Sequence, residues 1–231
     1  MAERLQDRSV PAALKATIPV LSGYLVLGIG FGLLCQSSGF PWWTGVLMSL
    51  IIYGGSMQFV LVGLLTSGAS LITAALTTLM VQARHLFYGI SMIDRYREIG
   101  AVKPYVIFTL TDETYALVCT DEMPEQCDAN RYRFFVSLFD HIWWVGGTLI
   151  GVLLGQIIPF STEGIEFSMT ALFVTVFVEQ WLSTGDHIPA LTGVAASLVS
   201  LAVFGPSRFL IPAMILITLL LSLLRRREVQ S

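Results

Sequence analysis

From Ala69 to Val81 the chain runs without a charged residue, and blocks of similar apolar character recur along most of its length. Crossing the hydrocarbon layer as a helix takes about 17 to 25 such residues. The strict apolar and polar alternation of a barrel strand is absent throughout. A hydrophobic share of 55%, against 13% charged residues, exceeds what a soluble domain of 231 residues needs to fill a core. Mean hydropathy is +0.74. The fold class expected is therefore all-α, a polytopic transmembrane helix bundle forming one domain over residues 1–231.

Eight membrane segments are predicted, near 17–35, 43–65, 69–93, 104–120, 132–157, 167–183, 188–204 and 208–224. Gly39-Phe40-Pro41, Ser67-Gly68, Lys103-Pro104, Pro159, Gly185 with Pro189, and Gly205-Pro206 supply the breaks between them. The first segment is a span and not a signal peptide, because no small-residue cleavage site follows it. Eight crossings with both ends inside place Arg4, Arg8, Lys15, Arg131, Arg133 and Arg225 to Arg227 in the cytoplasm, and Arg95, Arg97, Lys103 and Arg208 outside. The loop 94–103 fits this least well. It moves inside if the region of Tyr53-Gly54-Gly55 or of Arg84 is re-entrant, and that alternative stays open.

Glycines recur inside the spans at Gly23, Gly28, Gly30 and Gly32, and again at Gly146, Gly147, Gly151 and Gly155. They read first as close helix packing where lipid offers no hydrophobic drive. "GIGFGLL" (28–34) echoes "GTLIGVLLG" (147–155), and "WTGVLMSLIIYGG" (43–55) echoes "MTALFVTVFVEQ" (169–180), so an internal duplication with broken helices is expected, parallel or inverted. Cys35, Cys119 and Cys127 have no paired or metal-binding spacing and receive no role.

Function is written in what interrupts the apolar runs. Arg84 and His85, Asp112 and Glu113, Asp140 and His141, and Glu179 all fall inside segments that otherwise read as lipid-soluble. Each charge costs about 2.5–3.5 kcal/mol at a helix centre, so these groups must pair, face water or be neutral. Counting along antiparallel neighbours puts Arg84 and Asp112 about 12–14 Å from one surface, within reach of each other. Asp112 and Glu113 point about 100° apart, so one can pair with Arg84 while the other faces a cavity. The pair is either a structural lock or part of a substrate or proton site in which Arg84 holds a carboxylate, Asp112 or Glu113 holds an ammonium or titrates, and His85 carries protons.

"YGGSMQF" (53–59) places Gly54 and Gly55 in the middle of an apolar helix, with Ser56 and Gln58 beside them. It reads either as unwound backbone at a substrate or as a tight helix crossing with Gln58 bonded to a neighbour. Asp140 and His141 lie about eight residues into a span that starts near 132; with a later start they sit at the interface, with Trp143 and Trp144 in an aromatic belt, which is the reading preferred. Glu179 is taken to reach water, His187 and Arg208 to be solvated, and Arg225 to Arg227 to anchor on the anionic leaflet. Metal motifs, phosphate loops and nucleophile constellations are missing from the sequence. No cofactor, no ATP-driven step, no enzymatic activity and no nucleic-acid partner are therefore expected.

"IIYGGSMQF" (51–59), "ARHLFYGISM" (83–92) and "LTDETYAL" (110–117), in this order, resemble the large subunit of branched-chain amino acid exporters of the AzlC (YgaZ) type. The resemblance runs from about residue 12 to 222, and Arg-His-x-x-Tyr-Gly with Leu-Thr-Asp-Glu are its most specific elements. It implies a secondary exporter of branched-chain amino acids in the bacterial plasma (inner) membrane, working with a small AzlD-type membrane subunit. Its motif positions here are Tyr53, Gln58, Arg84, His85, Tyr88, Thr111, Asp112 and Glu113. Where the family often has Asn or Asp two positions before the arginine, this chain has Gln82. A zwitterion needs one cation and one anion, which Arg84 with Asp112 or Glu113 can supply, and export driven by protons is the expectation. The rivals are an intramembrane hydrolase using His85, Asp112 and Asp140, and a scaffold subunit that transports nothing.

Overall fold

The computed structural model describes residues 7–119, 126–157, 174, 177–178, 181–182, 185–205, 209, 212–213, 215–221 and 223. Two compact units make up the chain, residues 1–169 and 170–231.

The first unit is organised by two helices of 29 residues, α1 (Ser9–Ser37) and the helix Ala129–Ile157. At 1.5 Å per residue each is about 43 Å long, more than the hydrocarbon layer requires. They run parallel. Asp128 N donates to Ser9 Oγ at 2.9 Å at one end, Trp143 Nε1 donates to Thr17 Oγ1 at 3.3 Å further along, and Gly155 meets Gln36 at the other end. An Asp7 to Arg131 ion pair fastens the two starts, and hydrogen bonds from Ser9, ahead of that arginine, hold the Asp7 carboxyl below its usual range. Here "base" means the side where both helices begin and "top" the side where they end.

Between them, the segments read as single spans are broken. After α1 the chain turns at Gly39 into α2 (Trp42–Ile51), which descends from the top: Gly45 lies on Cys35, Ser49 on Thr148, and Tyr53 on Tyr24. There the helix stops. α3 (Ser56–Thr66) starts beside Trp144 and climbs again, setting Phe59 against Phe31, so residues 42–66 enter and leave by the same side. α4 (Leu71–Val81), capped by Ser70, returns to mid-depth, and one residue, Gln82, separates it from α5 (Ala83–Ser91), which continues to the base.

At the base a short 3-10 turn (Gly100–Val102) leads into α6 (Lys103–Phe108), which rises to mid-depth with Tyr105 and Phe108 on His141. It breaks at Thr109–Thr111, and α7 (Asp112–Val118) goes back down. α8 is the helix Ala129–Ile157 already described. Residues 42–66 and 103–118 are therefore re-entrant pairs from opposite sides, each followed by a crossing, α4–α5 in one case and α8 in the other. This corrects two of the eight predicted crossings. A re-entrant pair and a span are equally apolar and of similar length, and only the tertiary partners separate them.

The loop 94–103 moves with that correction. Met92, Tyr96 and Ile99 pack with Ala13, Val106, Val118, Tyr132 and Val136 in one buried cluster, and Arg95 O accepts from Arg133 Nη1 at 3.2 Å. Arg95, Arg97 and Lys103 thus share the base with Arg8, Lys15, Arg131 and Arg133, and no Lys or Arg among the described residues of this unit lies at the top. The base is cytoplasmic by the positive-inside rule, without the compromise that eight crossings required. A cysteine at Glu98 in a cysteine-free background reacts with an impermeant maleimide from the side carrying the N-terminus, and one at Ser67 from the other side. Labelling of both from one side contradicts this topology.

Of the echoed pairs, 28–34 and 147–155 face each other across the parallel α1–α8 contact. The backbone approaches there at Gly28, Gly32, Gly147 and Gly151, whereas Gly23, Gly30 and Gly146 meet open space. The repetition of re-entrant pair plus crossing is inverted and links different segments.

In the second unit α9 (Ile188–Phe204) has 17 residues, with Ala196 and Ser200 buried. His187 precedes it and stacks on Trp181 at 4.0 Å. Glu179, Arg208 and Arg225 to Arg227 lie outside the described residues.

Candidate functional site

The two breaks meet at mid-depth. In the first, Tyr53 at φ 44° and Gly55 at φ 48° take backbone conformations that L side chains resist, at a cost of order 1–3 kcal/mol for a non-glycine residue. The strain at Tyr53 is held by Gln58, which is fully buried: its Oε1 accepts from Gly54 N at 3.2 Å and from Trp144 Nε1 at 2.9 Å, and its Nε2 donates to Ser49 Oγ at 3.1 Å. Ser49 Oγ in turn lies 2.8 Å from Thr148 Oγ1. Every member is partnered, which makes this network a rigid clamp of both arms onto α8. Gln82 Nε2 closes the break from α4, donating to Gly54 O at 3.1 Å. Gln82 thus spans, with its longer arm, to a backbone carbonyl, and a side chain at Gly54 would crowd its amide nitrogen.

In the second break Thr111 caps α7 with extended backbone, its Oγ1 accepting from Thr114 N at 3.4 Å. Its hydroxyl also lies 2.7 Å from Tyr24 Oη, which donates to Glu113 Oε2 at 2.8 Å. Thr111 Oγ1 donates to Thr114 Oγ1 at 3.2 Å, and Thr114 Oγ1 donates to Asp140 Oδ2 at 2.8 Å. Asp140 is fully buried and its Oδ1 has no partner.

Asp140 and Trp144 therefore correct the aromatic-belt expectation. α8 starts at Ala129, so Asp140 is about 16 Å into the helix. Trp144 is buried on Gln58, and Trp143 bonds Thr17. His141 also points inward: Nδ1 lies 3.0 Å from Tyr105 Oη and Nε2 lies 3.3 Å from Ser49 O, so its two ring nitrogens join α6 and α2.

Arg84, in the first turn of α5, places Nη2 2.9 Å from Asp112 Oδ2 and 3.4 Å from Ser56 Oγ. The two side chains are 37% and 34% exposed, neither sealed nor free in solvent. Arg84 Nε and Asp112 Oδ1 keep no partner. Tyr88, one turn on, stacks on Tyr115 at 4.5 Å and stands edge-on to His85.

A cavity of about 340 Å³ runs from the first break to the base, from Tyr53 and Phe108 to Tyr96 and Lys103. Ile52, Met92, Ile93, Ile107 and Leu110 line most of the remainder, so that part of the wall is apolar. Four lining residues hold buried polar atoms without partners: Tyr53 Oη, Gln82 Oε1, His85 Nδ1 and Tyr96 Oη. Such atoms are costly to leave unpaired, and an apolar pocket with a few convergent polar groups is the usual form of a ligand site.

Tyr53, Gly54, Gly55, Gln58, Arg84, His85, Thr111, Asp112, Glu113, Asp140 and His141 thus gather about the two breaks, with Tyr88 on the adjoining turn. Sequence reasoning passed over Tyr24, Ser49, Thr114, Thr148 and Tyr96. Neutral hydroxyls in apolar helices look like packing, and only their spacing from the charged motif could have flagged them.

The AzlC protein family model matches residues 19–158. The chain belongs to the AzlC family. The branched-chain amino acid transport protein AzlC of Bacillus subtilis (strain 168) is 44% identical over 93% of this chain and 85% of its own length. An uncharacterized membrane protein of Haemophilus influenzae is 42% identical over 93% and 90%, and the inner membrane protein YgaZ of Escherichia coli K12 is 30% identical over 87% and 83%. No solved structure matches. As an AzlC family member the chain is a membrane protein with a transport role, not an enzyme. The match runs from within α1 to the end of α8, so every residue of the paired breaks falls inside it.

Proposed function

We propose that this protein is a secondary exporter of branched-chain amino acids across the plasma membrane, coupled to protons and acting as the large subunit beside a small AzlD-type partner. The observation that carries this reading is the aliphatic cavity ending at the strained Tyr53–Gly55 break. Its volume falls at the small end of ligand pockets, suited to an amino acid and not to a peptide. An aliphatic side chain fills the Ile52, Ile93 and Ile107 wall. The amino acid's charged end lies toward the break, past Tyr53, Gln82 and His85 of the lining. Arg84 and Asp112 stand beside the break and outside that lining, and on this reading its carboxylate reaches Arg84 and its ammonium Asp112, exchanging one ion pair for two. Discontinuous helices meeting at mid-depth are the usual frame for such a site. The cavity reaches Tyr96 and Lys103 at the base, the cytoplasmic side from which an exporter loads.

Cells expressing this chain with its small subunit release preloaded labelled leucine faster than vector-only cells, and a proton uncoupler removes the difference. Equal release in the two strains, with the protein present in the membrane, contradicts the proposal.

A further inference from the structure

Two carboxyl groups on different helices are joined by three hydroxyls and by nothing charged. Glu113 on α7 accepts from Tyr24 of α1; Tyr24 meets Thr111, Thr111 donates to Thr114, and Thr114 donates to Asp140 of α8, with successive oxygens 2.8, 2.7, 3.2 and 2.8 Å apart. Arg84 is taken by Asp112, and both carboxyls are met by hydroxyls, Glu113 by that of Tyr24 and Asp140 by that of Thr114. Two bare carboxylates this deep would be costly, and one proton between them removes half the charge. The chain is also continuous. With both carboxyls bare, Tyr24 turns its proton to Glu113 while Thr111 and Thr114 turn theirs toward Asp140, which leaves the Tyr24–Thr111 contact without one. A proton on Glu113 lets Tyr24 turn to Thr111, and all three hydroxyls then point the same way.

We propose that Glu113, Tyr24, Thr111, Thr114 and Asp140 form a proton wire carrying one shared proton between half-buried Glu113 and sealed Asp140. The proposal rests on the transport reading above and supplies its coupling step. With the proton on Glu113, that carboxyl donates to Tyr24, Tyr24 to Thr111, Thr111 to Thr114, and Thr114 to the Asp140 carboxylate. Four protons each move one oxygen along: the Glu113 O–H bond breaks, an Asp140 O–H bond forms, and the three hydroxyls end neutral. Groups on several packed elements face the wire. α1 offers Tyr24, the first break offers Tyr53, and α7 offers Asp112, already paired with Arg84. α8 itself offers Tyr132 and His141, the latter turned to Tyr105 of α6 and the Ser49 carbonyl of α2. The wire lies beside the breaks, so a movement of α7 against α8 would cut it at the Thr114–Asp140 contact.

The test separates proton movement from substrate movement. In proteoliposomes of the purified complex, labelled leucine is followed in exchange, which needs no net proton transfer, and in uptake or release driven by an imposed pH gradient. Tyr24→Phe and Thr114→Val each remove one hydroxyl. Both are expected to lower gradient-driven transport by about tenfold or more while exchange stays within about twofold. Infrared spectroscopy gives a second readout that does not depend on transport: a protonated-carboxyl band in the wild type that shifts in Tyr24→Phe and again in Asp140→Asn. Gradient-driven transport retained in both hydroxyl variants overturns the wire. So does loss of exchange in folded variants, which would make the hydroxyls part of the substrate site, and so does the absence of any protonated-carboxyl band. If the wild type exchanges no leucine, the transport reading falls and the infrared result alone decides the wire. Should Tyr24→Phe fail to accumulate, Thr114→Val gives both readouts.

Discussion

Arg84→Ala is expected to reduce leucine efflux about 10- to 100-fold while leaving a folded, membrane-inserted protein. A charge-assisted hydrogen bond is worth about 1.5–3 kcal/mol, and a substrate carboxylate left without its cation loses that much in binding and passage. The same substitution costs the protein less. The Arg84–Asp112 pair is about one-third exposed, and pairs reached by water contribute about 0–1 kcal/mol to stability. Asp112→Asn should behave alike, with efflux lost and melting temperature nearly unmoved. Efflux kept in both variants with normal assembly would make the pair a lock between α5 and α7 and favour the scaffold rival.

Gly151→Ala is expected to damage the fold itself. A methyl there meets the Ile29 carbonyl oxygen and lies 2.8 Å from Ile29 Cα, backbone atoms that cannot step aside. α1 and α8 must move apart, and overpacking of this kind costs about 1–3 kcal/mol or more. That corresponds to a fall of roughly 2–12 °C in melting temperature for a chain of this size. Gly32→Ala, with Thr148 O 2.5 Å from the added carbon, should match it. Gly30→Ala and Gly146→Ala add carbons into open space and should be neutral or slightly stabilising, since alanine is the better helix former by about 1 kcal/mol. Thermal melts in detergent check the contrast. Equal effects at Gly30 and Gly151 would mean that α1 and α8 do not pack as described.

Residue patterns made several features legible. The apolar runs define a helical membrane protein, Gly54-Gly55 marks a break, and Asp112 with Glu113 forces one acid toward Arg84 and the other elsewhere. What stayed hidden was tertiary. Residues 43–65 and 104–120 have the length and polarity of spans, and nothing local states that each turns back at mid-depth. The charges at Arg95, Arg97 and Lys103 carried the warning, because they sat on the wrong side of an eight-span topology. The belt reading of Trp143 and Trp144 needs a helix that starts later than 132; α8 begins at Ala129, which carries Asp140 and Trp144 from the interface into the bundle. Tyr24 and Thr114 gave no signal because a hydroxyl costs little in a helix and shows its use only when its partner is known.

On the function proposed above, the cavity between Tyr53 and Lys103 holds a branched-chain amino acid. With the three native cysteines replaced, a single cysteine at Ile107 on the cavity wall should be alkylated more slowly, by about threefold or more, when leucine is present at saturating concentration, the occupied wall being shielded. Glycine, which leaves the aliphatic wall uncovered, should protect far less. Alkylation at one rate with leucine, with glycine and with neither, in a complex that still exports leucine, would place the substrate outside this cavity.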